Sequence, residues 1–125
     1  MGLKEKQAIA ALDFGWSLKR IKEVTGKETK IELDQDSFSS DMDAIMYADS
    51  RGAEKIANGI AKVCHNDIGK DAFNGKKITK ILLKNQSPGS RSLTMKSGVL
   101  SLAFSFTSNE YFSENEIKDE IENQL

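Results

Sequence analysis

The chain has 125 residues, enough for one domain with a core of its own, and its 38% hydrophobic and 30% charged residues lie outside the composition of disordered chains. Its single cysteine excludes an internal disulfide, and no stretch has the long apolar run of a signal peptide or membrane span. The expectation is one α+β domain over residues 1–125, cytoplasmic and not membrane-bound. The formal net charge of −1 conceals a segregation into blocks: +3 over residues 1–30, −5 over 31–67, +6 over 68–96 and −5 over 97–125.

Taken in chain order, residues 5–25 predict a helix. Ile9, Leu12 and Trp16 recur at helical spacing, and Leu18, Ile21 and Val24 continue the apolar stripe. Gly15 weakens its middle, and Gly26 stands where a left-handed C-terminal cap belongs. KIELD (30–34) alternates Ile31 and Leu33 against Lys30, Glu32 and Asp34, the pattern of a half-buried strand.

A second helical stretch begins near Asp41 with Met42, Ile45 and Met46. After DSRG (49–52), Ala53, Ile56, Ala57, Ile60, Val63 and Cys64 form a strong inward stripe. Gly52 leaves open whether this is one helix or two. GKDAFNGKK (69–77) reads as a turn-rich connection, and KITKILLK (77–84) as a strand centred on Ile81, Leu82 and Leu83.

The loop NQSPGSRS leads into SLTMKSGVLSLAFSF, where Ser97-Gly98 predicts a two-residue hairpin turn. That turn pairs Lys96 with Val99, Met95 with Leu100, Thr94 with Ser101 and Leu93 with Leu102. Leu93, Met95, Leu100 and Leu102 then share one face, continued by Phe104 and Phe106. Thr94, Lys96, Ser101 and Ser105 take the other. Finally Ser113 and Glu116 form a capping box, Phe112 and Ile117 a hydrophobic staple, and Ile117, Ile121 and Leu125 an apolar stripe on an otherwise acidic helix.

The order α-β-α-β-β-β-α predicts a two-layer domain: one mainly antiparallel sheet of about four strands, with helices packed on one face. The opposite sheet face carries Ser, Thr and Lys, and is free for water or a partner.

The motifs that invite a chemical reading do not support one. Cys64 and His65 adjoin, but helical neighbours point about 100° apart, and a helix C-terminus disfavours a thiolate. Zinc would need further Cys or His ligands, and there are none, so no metal site is expected here. GKDAFNGKK lacks the spacing and the Ser or Thr of a phosphate-binding P-loop. Asp34, Asp36, Asp41 and Asp43 lack the central Gly and closing Glu of a calcium loop, and read as caps and loop solvation. GWSLKRIKEVTGKE is followed by a strand rather than the recognition helix of a helix-turn-helix, and Trp16 reads as core.

What remains is a charged surface. Lys76, Lys80, Lys84, Arg91 and Lys96 are the candidate partner or anion surface. No catalytic residue and no cofactor is expected. The leading expectation is a small non-catalytic binding domain that engages a protein or peptide partner, of regulatory or toxin-neutralising type. A second reading is anion or nucleic-acid binding through the Lys-rich strand 76–84 and loop 87–91, against which stand the low pI of 5.9 and the lack of interleaved aromatics. A third is an enzyme with dispersed carboxylates. A homodimer through a sheet edge or the acidic C-terminal helix is also compatible with the pattern.

Overall fold

The computed structural model describes residues 2–125. Six α-helices and four strands follow one another as α1 (Leu3–Ala10), α2 (Gly15–Thr25), β1 (Lys30–Leu33), α3 (Met42–Tyr47), α4 (Glu54–Val63), α5 (Asp67–Gly75), β2 (Lys80–Asn85), β3 (Ser92–Lys96), β4 (Val99–Phe104) and α6 (Glu114–Asn123). A 3₁₀ turn, Gln35–Phe38, precedes α3, and a π-helical segment, Ala48–Ala53, joins α3 to α4. The fold is α+β, and no helix among the described residues is long and apolar enough to cross a membrane.

The sheet order is β1-β2-β4-β3, and the sheet is mixed rather than mainly antiparallel. β1 pairs parallel with β2, and β2 parallel with β4; only β3 and β4 are antiparallel. The reason lies in the connections. Between β1 and β2 the chain makes a helical crossover long enough to bring it back in the same direction. The hairpin then inserts β4, not β3, beside β2, leaving β3 at the edge. The hairpin itself has the register read from its pattern, Lys96 opposite Val99 through Leu93 opposite Leu102. Ser97 and Gly98 both have positive φ, 53° and 79°, as a type I′ turn requires.

Other expectations also need correction. Residues 5–25 form two helices, because the chain leaves helical geometry after α1 and the Asp13 carboxylate then accepts from the Gly15 N–H at 2.8 Å to start α2. The restart turns Ser17, Ile21 and Thr25 inward and leaves Trp16 56% exposed, not in the core. Met46 likewise points out, while Ile45 is buried. Residues 67–75 are helix α5 rather than a connection: Asn66 caps it through the Gly69 N–H at 2.8 Å, and burial of Phe73 outweighs the low propensity of its glycines. Ser105 is buried between Phe104 and Phe106, because strand alternation ends with β4 and the two rings stack at 4.1 Å.

Gly52 does not break the second helical stretch; it lies within the π segment, where a Cβ would come within 3.0 Å of Leu83 and Phe106. The π segment also aims Arg51 across the chain. Its guanidinium donates to the carbonyls of Phe106 and Ser108, each at 3.0 Å, and lies over the rings of Tyr47 and Tyr111.

One core runs through the molecule, joining Ile56, Ala57, Ile60 and Val63 of α4 to Ile31, Ile81, Leu83, Leu100 and Leu102 of the sheet. α4 packs against both α2 and α6. Ile117 and Ile121 of α6 are fully buried, whereas Leu125 lies past the helix end and is exposed. The capping box of Ser113 and Glu116 is formed. At the free edge of β3, the Gln124 side chain donates to the Leu93 carbonyl at 2.8 Å and accepts from the Met95 N–H at 3.0 Å. Those are the two bonds one residue of a parallel neighbour would make, so this stretch of edge is taken by the chain's own C-terminal turn.

The α4–α6 contact generates a test. A Cβ on Gly59 would approach Ile117 Cβ to 2.8 Å, whereas one on Gly75 would meet nothing within 4 Å. Gly59→Ala is expected to lower the unfolding free energy by about 1–3 kcal/mol in urea titration, despite its better helix propensity. Gly75→Ala should raise it by about 0.5 kcal/mol. A Gly59→Ala protein as stable as wild type would disprove the close crossing.

Candidate functional site

The alternation that buries Ile31, Ile81, Leu83, Leu100 and Leu102 sends their neighbours to the outer face of the sheet. In register across the four strands, one row of that face reads Lys30, Lys80, Val99, Lys96. The next reads Glu32, Leu82, Ser101, Thr94, and the third Lys84, Ala103, Ser92. Lys30, Glu32, Lys84, Ser92, Thr94 and Lys96 are exposed, and Lys80, Leu82, Val99 and Ser101 half-buried. The row of lysines spans three strand spacings, about 14 Å, and Lys84 lies about 13 Å further along β2 from Lys80.

Like charges directly opposite each other across a sheet destabilise it, and Lys30 faces Lys80 in this way. The one carboxylate on the face, Glu32, reaches Lys80 at 3.6 Å. Lys30, Lys84 and Lys96 have no ion-pair partner among the described residues.

Three of the five residues singled out from the sequence, Lys80, Lys84 and Lys96, therefore share this face. Lys76 does not: it caps the end of α5. Arg91 does not either. It has the parity of Leu93, and its guanidinium binds the Glu116 carboxylate at 2.5 Å and lies 4.5 Å over the Phe112 ring. Two further residues of loop 87–91 are similarly occupied, since the Gly89 N–H donates to Glu110 at 2.7 Å and the Gln86 amide donates to the Ser90 carbonyl at 2.8 Å. Lys30 was missed. The alternation of KIELD places it opposite Ile31, but only the parallel β1–β2 register sets it beside Lys80.

The other constellations settle into structural places. Cys64 is buried at the end of α4, and burial pushes its thiol up to about 11, away from the thiolate. His65 is exposed, with Nδ1 2.6 Å from the Lys62 carbonyl. Asp41 caps α3 through the Ala44 N–H at 3.0 Å. Among the described residues, no group of three or more His, Cys, Asp or Glu side chains converges to hold a metal ion. No protein-family model, curated protein or solved structure matches the chain.

The Arg91–Glu116 pair predicts a pH dependence. Its hydrogen bond to Arg91, followed by that to the Ser113 backbone, lowers the Glu116 carboxyl from 4.5 to about 2. A carboxyl lowered by folding adds stability that is present above its unfolded value and lost as pH falls through the folded one. The pair is 40% and 44% exposed, so solvent screening keeps the contribution small. Glu116→Gln should be less stable than wild type near neutral pH, and the gap in urea midpoints should close between about 4.5 and 2. A gap that stays constant over that range would contradict the assignment.

Proposed function

We propose that this chain is a single non-catalytic binding domain, two-layered with its helices on one sheet face, whose other face takes an acidic segment of a protein partner. One observation carries the reading: Lys30, Lys80 and Lys96 stand in a single row across the sheet, with Lys84 beyond them and one carboxylate among them. Folding gains nothing from aligning these charges, and a negatively charged partner would offset their repulsion. Leu82, half-buried between the row and Lys84, offers an apolar contact at the centre.

The size and surroundings of the patch favour a protein segment over a nucleic acid. It is compact, it bears no aromatic ring on which a base could stack, and the chain as a whole is acidic, with pI 5.9. The Arg91 loop belongs less to this surface, because carboxylates of the same chain already hold it.

A short Asp/Glu-rich peptide serves as the probe. In a ¹H–¹⁵N titration it should shift the amides of Lys30, Lys80, Leu82 and Lys96, with affinity falling as salt rises. Lys80→Glu/Lys96→Glu should weaken binding by about tenfold or more while leaving the fold intact. Unchanged binding by that variant, or a stronger response to a single-stranded oligonucleotide than to the peptide, would refute the proposal.

A further inference from the structure

A second charged surface lies on the helical side of the molecule, apart from the sheet face. α2, α4 and α6 enclose a groove of about 430 Å³, lined by Arg20, Asn58, Lys62, His65, Asn115 and Lys118, together with Ala61 and Glu114. At its floor is a relay of side chains. The Arg20 Nε donates to Asn58 Oδ1 at 3.2 Å, and Asn58 Nδ2 donates to Glu114 Oε2 at 2.7 Å. Chemistry leaves the Asn58 amide one orientation, since only its NH₂ can donate to a carboxylate and only its oxygen can accept from a guanidinium. Glu114 thus sets Asn58, and Asn58 sets Arg20.

The consequence is a guanidinium held by its inner nitrogen, with its two terminal NH₂ groups given no acceptor among the described residues. That outer edge is the one that binds an oxyanion in two parallel hydrogen bonds. Lys62 adds a second charge without an ion-pair partner among the described residues, whereas Lys118 is committed to Glu122 at 2.9 Å and to Asp119 at 3.8 Å. The Glu114 carboxylate is in turn engaged by Asn58. Arg20 and Lys62 are the cations left for a ligand, with the Glu114 carboxylate, whose charge a hydrogen bond from a neutral amide does not cancel, lining the same groove. A phosphate monoester, with about −1.5 to −2 charges near neutral pH, matches them better than a single carboxylate.

We propose that the groove between α2, α4 and α6 is an oxyanion site that takes a phosphate group, gripped by Arg20 and Lys62 with Arg20 positioned through Asn58. This site is independent of the acidic-partner face.

Inorganic phosphate is the probe, titrated against chloride at matched ionic strength and followed by ¹H–¹⁵N spectra that include the Arg20 Nε–H. The expected result is a saturable shift at Arg20, Asn58 and Lys62. Lys62→Gln, at an exposed position, should weaken it by about tenfold, and Arg20→Lys, which keeps the charge but loses the fork, by a similar factor. Lys80→Glu, on the sheet, should leave phosphate binding unchanged, which separates this site from the partner face. Shifts that chloride reproduces would overturn the proposal, as would unaltered phosphate binding by Lys62→Gln and Arg20→Lys. So would a response to succinate as strong as that to phosphate.

Discussion

Helix α4 can lie this close to α6 only because Gly59 has no side chain. Its Cα lies where any Cβ would run into Ile117, so α6 seats directly on α4 and buries Ile117 and Ile121 completely. The inward stripe of α4 is used just as fully, with Ile56, Ala57, Ile60 and Val63 at or near zero exposure. Once α4 has gathered α2 and α6, the apolar stripes of these helices are consumed on the inner side. The outer rows of the sheet carry mainly lysine, serine and threonine. The polar face thus follows from the same packing that makes the core.

The charge blocks of the sequence take on meaning in this frame. The basic segment 68–96 does not act as one strip. Arg91 and the Gly89 amide are held by Glu116 and Glu110, acidic groups of the C-terminal segment, so that part of the segregation is satisfied inside the molecule. Lys84 of β2 and Lys96 of β3 are not, β1 adds Lys30 to them, and only Lys80 has a carboxylate, Glu32, beside it. In the helical groove Glu114 accepts from Asn58 rather than from Arg20, and the arginine that Asn58 holds by its Nε keeps its outer edge free.

Local signals were legible in the sequence wherever one segment contains the whole argument. The Ser97-Gly98 turn and the alternation around it set the hairpin register. Ser113 with Glu116 set the start of α6, and the Ile56–Ile60–Val63 spacing set the buried side of α4. What failed depended on partners distant in sequence. Parallel pairing of β1 with β2 is decided by the crossover that joins them, so the mixed sheet and the place of Lys30 were hidden. Trp16 was misplaced because a four-residue break resets helical phase, and no periodicity survives a reset. Helix α5 has two glycines and little apolar pattern, and it exists because Phe73 finds the core. For the candidate face, strand alternation identified Lys80, Lys84 and Lys96, while Arg91 was misassigned because nothing local reveals Glu116 and Phe112 beside it.

The lysine row, as a proposed surface for an acidic protein partner, can be tested in the host extract itself. Partners are captured quantitatively from host extract, with and without nuclease, by the tagged wild-type chain and by Lys30→Glu/Lys80→Glu/Lys96→Glu, after the two are shown to unfold at the same urea midpoint. The expected result is a stoichiometric protein partner that the wild type retains and the variant loses. Equal capture by both chains, or wild-type partners that vanish when nuclease is added, would contradict it.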